Sequence, residues 1–213
     1  MGASVPVIYC EVISAPEFRI EFAAGVSDGT TRTPMTIDTR FYAASSANPM
    51  ISVAILDAAS KGELKLGARI THALRSSRTI RKIAGIETAL VHQLLNHTSG
   101  LPEYFTEEFW QANLKEPQKV WDSEDALNYA VGSRFSFPAG LGFSYSNTNY
   151  VILGAILSSL DGSLDIALKN RVFDRADMHS TSFGMGSMIE PLAHGYDSEG
   201  IDRSHIAWST KLG

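Results

Sequence analysis

Two short stretches of the chain carry the residues that could do chemistry. The first, "FYAASSANPM" (residues 41–50), places Ser45 and Ser46 at the start of an apolar run typical of a helix. The backbone N–H groups at a helix N-terminus have no intrahelical partner, and they favour negative charge nearby. A serine there could be a nucleophile, but the same position also suits a serine that only caps the helix. This stretch alone favours capping.

A serine hydroxyl becomes reactive only beside a base, and the second stretch, "FSYSNTNY" (residues 143–150), offers one. The phenol of Tyr145 can accept a proton if a nearby cation favours its ionised form. The histidines are weaker candidates, because His92 and His97 are five residues apart, which is wrong for one helix face. No GxSxG, HExxH or P-loop motif occurs. Tyr145 is therefore the candidate base for a reactive serine.

The elements that must position these residues combine strands and helices. "VPVIYCEVI" (5–13) and "FRIEFAAGVSDG" (18–29) are short β-prone runs, and together they predict a hairpin. Pro49–Lys61 is apolar on nearly every side, which predicts a buried helix that Gly62 ends.

Further helices are predicted in the middle and near the end of the chain. Thr106 and Ser123 are placed as N-caps of two of them, and Gly162 separates the last pair. The predicted segments are "TALVHQLLNH", "TEEFWQANL", "SEDALNYAV", "TNYVILGAILSSLDG" and "SLDIALKNRVF". The loops "HTSGLPEYF" and "SFPAGLGFSYSN" are too apolar for solvated linkers, so they are expected to line a site.

Composition and charge exclude several classes of function. With 213 residues, of which 44% are hydrophobic and 19% charged, the chain is long enough for one domain or two interleaved ones. The net charge is −5 and the densest basic cluster is "RSSRTIRK", so no nucleic-acid partner is expected. No apolar run approaches the length of a membrane span, so no membrane partner is expected either. The start, "MGASVPVIYCEV", lacks the basic residues of a signal peptide and indicates a cytoplasmic location, or a periplasmic or secreted one if a leader was removed.

Four stretches, taken in order, resemble the serine β-lactamase-like superfamily. They are "TRFYAASSANPM", "LLNHTSGLPEYF", "FPAGLGFSYSNTNYVILGAIL" and "RVFDRADMHSTSFG", and the resemblance runs in register from about Val5 to Tyr196. The likeness is strongest to class C β-lactamases, DD-peptidases and family VIII esterases. It implies an α/β (α+β) fold in which an antiparallel sheet is flanked by helices and a largely helical subdomain is inserted. The implied single domain has its first strands in 1–44, the helical subdomain in 45–170 and a return to the sheet in 171–213.

The resemblance also implies a role for each matched residue. Phe41 and Pro49 set the register of the SxxK motif, so Ser45 matches the acylated serine and Ser46 does not. Tyr145 matches the tyrosine of the YxN motif, which takes the serine proton, and Asn147 matches the asparagine that binds the substrate amide. The turn "HTSG" is structural in such proteins, and no metal or organic cofactor is implied. The implied reaction is attack of Ser45 on an amide or ester.

One departure from the family pattern affects activity, because Asn48 occupies the position of the SxxK lysine. Lys61, the next lysine, lies about four helical turns from Ser45. A cation in contact with an acidic group shifts its titration by about 1–3 pKa units. Without it, the ionised fraction of a tyrosine is expected to fall roughly 10- to 1000-fold, and acylation at least in proportion. Asparagine keeps hydrogen bonds but not the charge, so the chain is predicted to be impaired or inactive unless another cation approaches.

The second departure is that the chain stops at "WSTKLG". The resemblance implies a later strand with a KTG or HxG motif, which Lys211 and Gly213 only imitate. The chain is therefore expected to be incomplete, lacking the C-terminal strands of the sheet, because two strands alone are marginally stable. A second polypeptide or a second copy that completes the sheet is the expected partner, besides an amide or ester substrate.

Three functional interpretations remain at this point. The first is an impaired serine hydrolase, and the second is a non-catalytic binding or regulatory protein that keeps the pocket. The third is a chain altered at position 48 to trap a complex. The family acts on β-lactams, D-alanyl peptides, esters and amide oligomers, so the fold does not fix the substrate.

Overall fold

The computed structural model describes residues 7–15, 18–74, 77–117, 119–184, 192–197 and 199–203. These residues form two compact units. The first unit contains the described residues up to Ala44 together with those between 192 and 203, and the second runs from Ser45 to Gly184.

The first unit is built on an antiparallel sheet in the order β1-β2-β3. Strand β1 (Val7–Ala15) pairs with β2 (Phe18–Asp28), with Val12 opposite Ile20, so the predicted hairpin is confirmed. The third strand, β3 (Thr33–Pro34), pairs with the end of β2.

Residues 192–203 join this unit through backbone hydrogen bonds. Ala193 N–H donates to the Arg40 carbonyl and His194 N–H to the Ser27 carbonyl, each at 2.7 Å. The hydroxyl oxygen of Tyr196 accepts from Gly29 N–H at 2.7 Å. These bonds hold the returning chain against the end of β2 and the turn that follows it.

The second unit is helical. Its α-helices are α1 (Asn48–Ser60), α2 (Ile70–Ala73), α3 (Val91–Leu95), α4 (Glu107–Lys115), α5 (Ser123–Leu127), α6 (Asn147–Asp161) and α7 (Leu164–Leu168). Short 3₁₀ turns lie at Ala44–Ala47, Ile80–Lys82 and Asn128–Ala130, and a π-helical turn lies at Lys169–Phe173. Gly162 ends α6 with a φ of +94°, a backbone conformation that glycine adopts without a steric penalty.

Helix α6 forms the centre of the hydrophobic core of this unit. Nine of its residues are buried, including Ile152, Leu153, Ile156 and Leu157, whose side chains are almost inaccessible to solvent. Burying one such side chain contributes about 1.5–3 kcal/mol. Because α6 begins at Asn147, the core fixes the position of the YxN stretch.

The prediction that α1 is buried on every side is wrong. Ile51, Ala54 and Ile55 face the core, but Val53 is 51% and Leu56 48% exposed. An apolar sequence shows which faces could be buried, whereas burial itself requires a neighbouring element on each side.

The N-caps of α4 and α5 differ in how well the sequence predicted them. Thr106 caps α4, because its hydroxyl oxygen accepts from Phe109 N–H at 3.3 Å, which confirms the prediction. The cap of α5 is Asp122 instead of the predicted Ser123, and its carboxylate accepts from Asp125 N–H at 2.8 Å. Aspartate and serine are both good caps, but the helix begins at Ser123, so the residue before it, Asp122, is the one that caps it.

A buried guanidinium ties the two ends of the helical unit together. Arg171 is 7% exposed and donates to both carboxylate oxygens of Asp161, at 2.6 and 2.7 Å. It also donates to Asp57 at 3.0 Å and to Glu63 at 2.7 Å. The neighbouring carboxylates hold the pKa of Arg171 above its usual range, and the carboxylate of Asp161 contributes most. Through this group α1, α6 and the π-helical turn share one charged centre.

Among the described residues, no single helix is long and apolar enough to cross a membrane. Within the part of the chain that the structure describes, one pair of helices, α6 with Leu164–Phe173, together reaches the length and hydrophobicity of a membrane span, and this pair is bent by 84°.

Candidate active site

The structure brings Ser45 and Tyr145 into contact across 100 residues of sequence. The Tyr145 hydroxyl lies 3.1 Å from Ser45 Oγ, which is within hydrogen-bonding distance. Both side chains are exposed to solvent, so a substrate can reach them. Ser45 lies in the 3₁₀ turn that leads into α1, and Tyr145 lies two residues before α6.

The two predicted asparagines flank the phenol. Asn48 Nδ2 donates to the Tyr145 hydroxyl oxygen at 3.2 Å, and Asn147 Oδ1 lies 3.5 Å from the same atom. A carboxamide therefore occupies the position expected of the lysine and makes a neutral hydrogen bond there. In the described part of the chain, none of the hydrogen bonds of these four side chains goes to a lysine or arginine.

A contact one turn inside the helices keeps the two halves of the site in register. The Tyr150 hydroxyl on α6 donates to the Leu95 carbonyl at 3.0 Å and lies 2.9 Å from Ser52 Oγ on α1. Because Ser52 is one turn after Asn48 and Tyr150 is one turn after Asn147, this contact fixes α1 against α6 directly beneath the site.

Glu103 is a site residue that the sequence reasoning missed. Its Oε2 accepts from Asn147 N–H at 2.6 Å and from Asn147 Nδ2 at 3.3 Å, and its Oε1 accepts from Phe105 N–H at 2.7 Å. The carboxylate thus satisfies the first N–H of α6 and orients the asparagine side chain. The available signal was its place in "HTSGLPEYF", one of the two loops expected to line a site.

His97 also contributes to the site through its neighbours, although the sequence indicated only a structural turn at "HTSG". Its ring lies against that of Tyr145, with centroids 4.4 Å apart. Its Nδ1 accepts from Ser146 N–H at 3.2 Å and from Asn149 Nδ2 at 3.1 Å, so Nδ1 carries no proton. His97 therefore supports the tyrosine on one side and fixes the two residues around it.

Backbone hydrogen bonds join the two predicted site-lining loops. Ser136 N–H donates to Gly100 O, Gly140 N–H to Thr98 O, and Ser144 N–H to His97 O, at 2.8, 2.8 and 3.1 Å. Gly100 has a φ of +69°, and a Cβ there would lie 2.0 Å from the Phe137 carbonyl oxygen, so only glycine fits. Two apolar residues that precede Tyr145 in the second loop are largely exposed to solvent: Leu141 is 78% and Phe143 71% exposed.

Acid should destabilise the fold through His97. Burial lowers the pKa of this imidazole, and the Glu103 carboxylate opposes the shift. An unfolded histidine titrates near about pH 6.5, so the contribution of neutral His97 is complete above that pH. It is lost as the pH falls through the lower folded pKa, where protonation of Nδ1 breaks both accepted bonds.

We expect His97→Asn to reduce the loss of unfolding free energy between about pH 7.5 and about pH 5, measured by urea denaturation. Asparagine tolerates the positive φ of this position, 57°. His179→Asn is the matched control, since that side chain is 77% exposed. Equal pH dependence in wild type and both variants would contradict the role given to His97.

The remaining motif, the "KLG" imitation at Lys211 and Gly213, lies outside the described residues.

Comparisons of sequence and structure point to one family. A family model described as Beta-lactamase matches residues 12–208. The esterase EstB of Burkholderia gladioli is 29% identical over 146 residues, which are 66% of this chain and 37% of the esterase. The D-aminopeptidase of Brucella anthropi is 27% identical over 195 residues, which are 89% of this chain and 35% of that protein. The chain thus spans little more than a third of these curated relatives.

A solved structure shares the fold. The penicillin binding protein from Bacillus halodurans superposes with a TM-score of 0.76 at 23% identity, covering 97% of this chain and 62% of that one. Likeness at this identity shows the fold alone, and it confirms the fold that the four sequence stretches implied.

Proposed function

Because this chain belongs to the Beta-lactamase family, whose members are serine hydrolases, we propose that Ser45 is the nucleophile of an acyl transfer in this protein. The observation that supports this most directly is the 3.1 Å contact between Ser45 Oγ and the Tyr145 hydroxyl. A nucleophile and its base must lie within such a distance for the proton to move.

The proposed reaction has two steps. Ser45 Oγ attacks the carbonyl carbon of an amide or ester, its proton passes through Tyr145 to the leaving group, and the bond to the leaving group breaks. Water then attacks the acyl-enzyme, gives its proton to Tyr145, and releases the acid as Ser45 regains its hydrogen. Asn147 binds the acyl side of the substrate. No metal or organic cofactor takes part in the proposed steps.

The same geometry supports low activity. In the structure the Tyr145 hydroxyl donates to Ser45 Oγ and accepts from Asn48 Nδ2. A base must instead accept the serine proton, and a nearby cation would favour that form. Asn48 supplies no such charge, so we place turnover well below that expected with a lysine at position 48.

A second candidate function is a binding or regulatory protein that retains the pocket without turnover. The observation that favours it is Asn48 at the position where the resemblance implies a lysine. The two candidates differ in whether Ser45 ever becomes acylated.

Labelling with a serine-reactive phosphonate tests the assignment. We expect slow formation of one adduct, located at Ser45 by peptide mass spectrometry, because the phenol still lies beside that hydroxyl. Ser45→Ala should abolish the adduct, whereas Ser46→Ala, the matched control one residue away, should keep it. Adduct formation at Ser46, or an adduct that survives in Ser45→Ala, would overturn the assignment. No adduct in wild type, with an adduct in Asn48→Lys, would identify the binding protein.

A further inference from the structure

One imidazole holds the segment that carries the proposed base. His97 lies in the loop after α3, and its ring lies against those of Tyr145 and Tyr150, with centroids 4.4 and 5.3 Å apart. Its Nδ1 accepts from Ser146 N–H at 3.2 Å. The Ser146 hydroxyl is buried without a hydrogen-bond partner among the described residues, so this residue is held through its backbone. The residue that follows the phenol thus depends on His97 for its position.

The hydrogen bonds around His97 fix where the imidazole proton is. A backbone N–H can only donate, so the Nδ1 atom that faces Ser146 N–H must be an acceptor. A second series of bonds agrees, because Leu101 N–H donates to Ser99 Oγ, and the Ser99 hydroxyl donates to Asn149 Oδ1 at 2.6 Å. The other end of that carboxamide, Asn149 Nδ2, therefore faces Nδ1 at 3.1 Å. The ring is the neutral tautomer with its proton on Nε2.

Protonation of His97 would bring three N–H donors together. An imidazolium carries a proton on both nitrogens, so Nδ1–H would face Ser146 N–H and Asn149 Nδ2, and both accepted bonds would be lost. Ser146 and Asn149 are buried, so these donors cannot turn to water instead. The conflict is relieved when the imidazole, or the segment that it holds, moves. The segment in question includes Tyr145.

A protonated His97 would also be a cation near the phenol, but its position favours displacement of the base over its ionisation. The described hydrogen bonds of the Tyr145 hydroxyl go to the side chains of Ser45, Asn48 and Asn147, and none of them goes to His97. The imidazole lies against the phenol ring instead of its oxygen. Displacement of a catalytic group by about 1 Å can cost about 100-fold in rate.

On the premise of the proposed function, we propose that neutral His97 is a positioning residue for Tyr145, and that acid stops acylation of Ser45 in molecules that are still folded. The titratable groups that face the imidazole are Tyr145, Tyr150 and the Glu103 carboxylate. Burial lowers the pKa of His97 and Glu103 opposes the shift, so the loss is expected below about pH 6.5, the ordinary value of a histidine.

The slope of the logarithm of the acylation rate against pH tests the proposal. A tyrosine base alone loses about tenfold of its ionised form for each pH unit below its pKa, which gives a slope of about one. Where His97 takes up a proton as well, the slope should rise towards about two. Single-turnover acylation by a neutral p-nitrophenyl ester is measured between about pH 8 and about pH 5 in wild type and Asn48→Lys. Circular dichroism of the same samples follows the folded fraction.

Two variants at position 97 separate the acceptor from the backbone conformation. Asparagine and glycine both tolerate the φ of 57° found there. His97→Gly has no acceptor and should be about 10- to 100-fold slower than wild type at every pH. His97→Asn keeps an acceptor oxygen that cannot be protonated, so it should recover part of this loss and keep a slope of about one. His179→Asn, which changes an exposed histidine, should keep the wild-type profile.

Nitrogen NMR of the histidine rings gives a readout that does not depend on activity. We expect His97 to be the Nε2–H tautomer at neutral pH and to take up its second proton while the protein is folded. An Nδ1–H tautomer, or protonation of His97 only on unfolding, would overturn the proposal.

The kinetic outcomes separate this proposal from the hydrolase assignment. A slope that stays at about one below the pH at which NMR shows His97 taking up its proton would overturn the proposal and leave the acylation of Ser45 intact. A slope that flattens there would also overturn it, because the imidazolium would then be acting as the missing cation. If neither wild type nor Asn48→Lys is acylated by the ester or by the phosphonate, the proposed function fails and this proposal fails with it.

Discussion

Asn48→Lys is expected to acylate at Ser45 roughly 10- to 1000-fold faster than wild type with a neutral p-nitrophenyl ester. The Asn48 Nδ2 atom already lies 3.2 Å from the Tyr145 hydroxyl, so a lysine there would bring its ammonium into contact with the phenol. A contacting cation is worth about 1–3 pKa units, and each unit is tenfold in the ionised form. Position 48 is partly exposed to solvent.

The rate is measured as the burst of p-nitrophenol under single-turnover conditions, with the acyl adduct confirmed by mass spectrometry. Asn48→Met is the matched control, since it has similar length to lysine but neither the charge nor the hydrogen bonds of the carboxamide. We expect it to be no faster than wild type. If Met and Lys accelerate the reaction equally, the effect arises from side-chain length, and the electrostatic account of position 48 is wrong.

Arg171→Met should cost about 3–5 kcal/mol of unfolding free energy, the usual cost of removing one partner from a buried charge cluster. Arg171 is 7% exposed, and its loss removes one of three cations from Asp57, which keeps Lys61 and Arg175 at 2.7 Å each. Asp161, which is 21% exposed, loses two hydrogen bonds at once. Urea denaturation should show a lower midpoint with an unchanged m-value.

Arg175→Met is the control for this prediction. Arg175 also binds Asp57, at 2.7 Å, but its side chain is 57% exposed. Exposed ion pairs contribute about 0–1 kcal/mol, so we expect a change within that range. Similar losses in the two variants would show that the cluster acts as a surface network and does not anchor the helical unit.

Local patterns predicted the elements that short-range physics determines. The hairpin, the run of α1 and the Thr106 cap depend on alternation, on helical propensity and on a hydroxyl at the right position, and each is present in the structure. The choice between Ser45 and Ser46 came from resemblance, because both serines precede α1 and both are exposed. The structure adds the contact with Tyr145, which only one of them makes among the hydrogen bonds described.

Features that depend on the meeting of distant segments were not predictable. Glu103 reaches Asn147 across 44 residues, and His97 reaches Asn149 across 52, so neither contact leaves a local pattern. The exposed face of α1 was not predictable either, because Val53 and Leu56 are of residue types that are usually buried in a core. A sequence specifies which surfaces are apolar more directly than it specifies which neighbour covers them.

The contact between Ser45 and Tyr145 also has a consequence for folding experiments. It closes a loop of 100 residues, so it can form only after α1 and α6 have docked. An isolated α1 or a partly folded chain still has the serine hydroxyl but no phenol beside it. The rate at which a phosphonate labels Ser45 should therefore follow the population of fully docked molecules, and the serine becomes a chemical reporter of the native state.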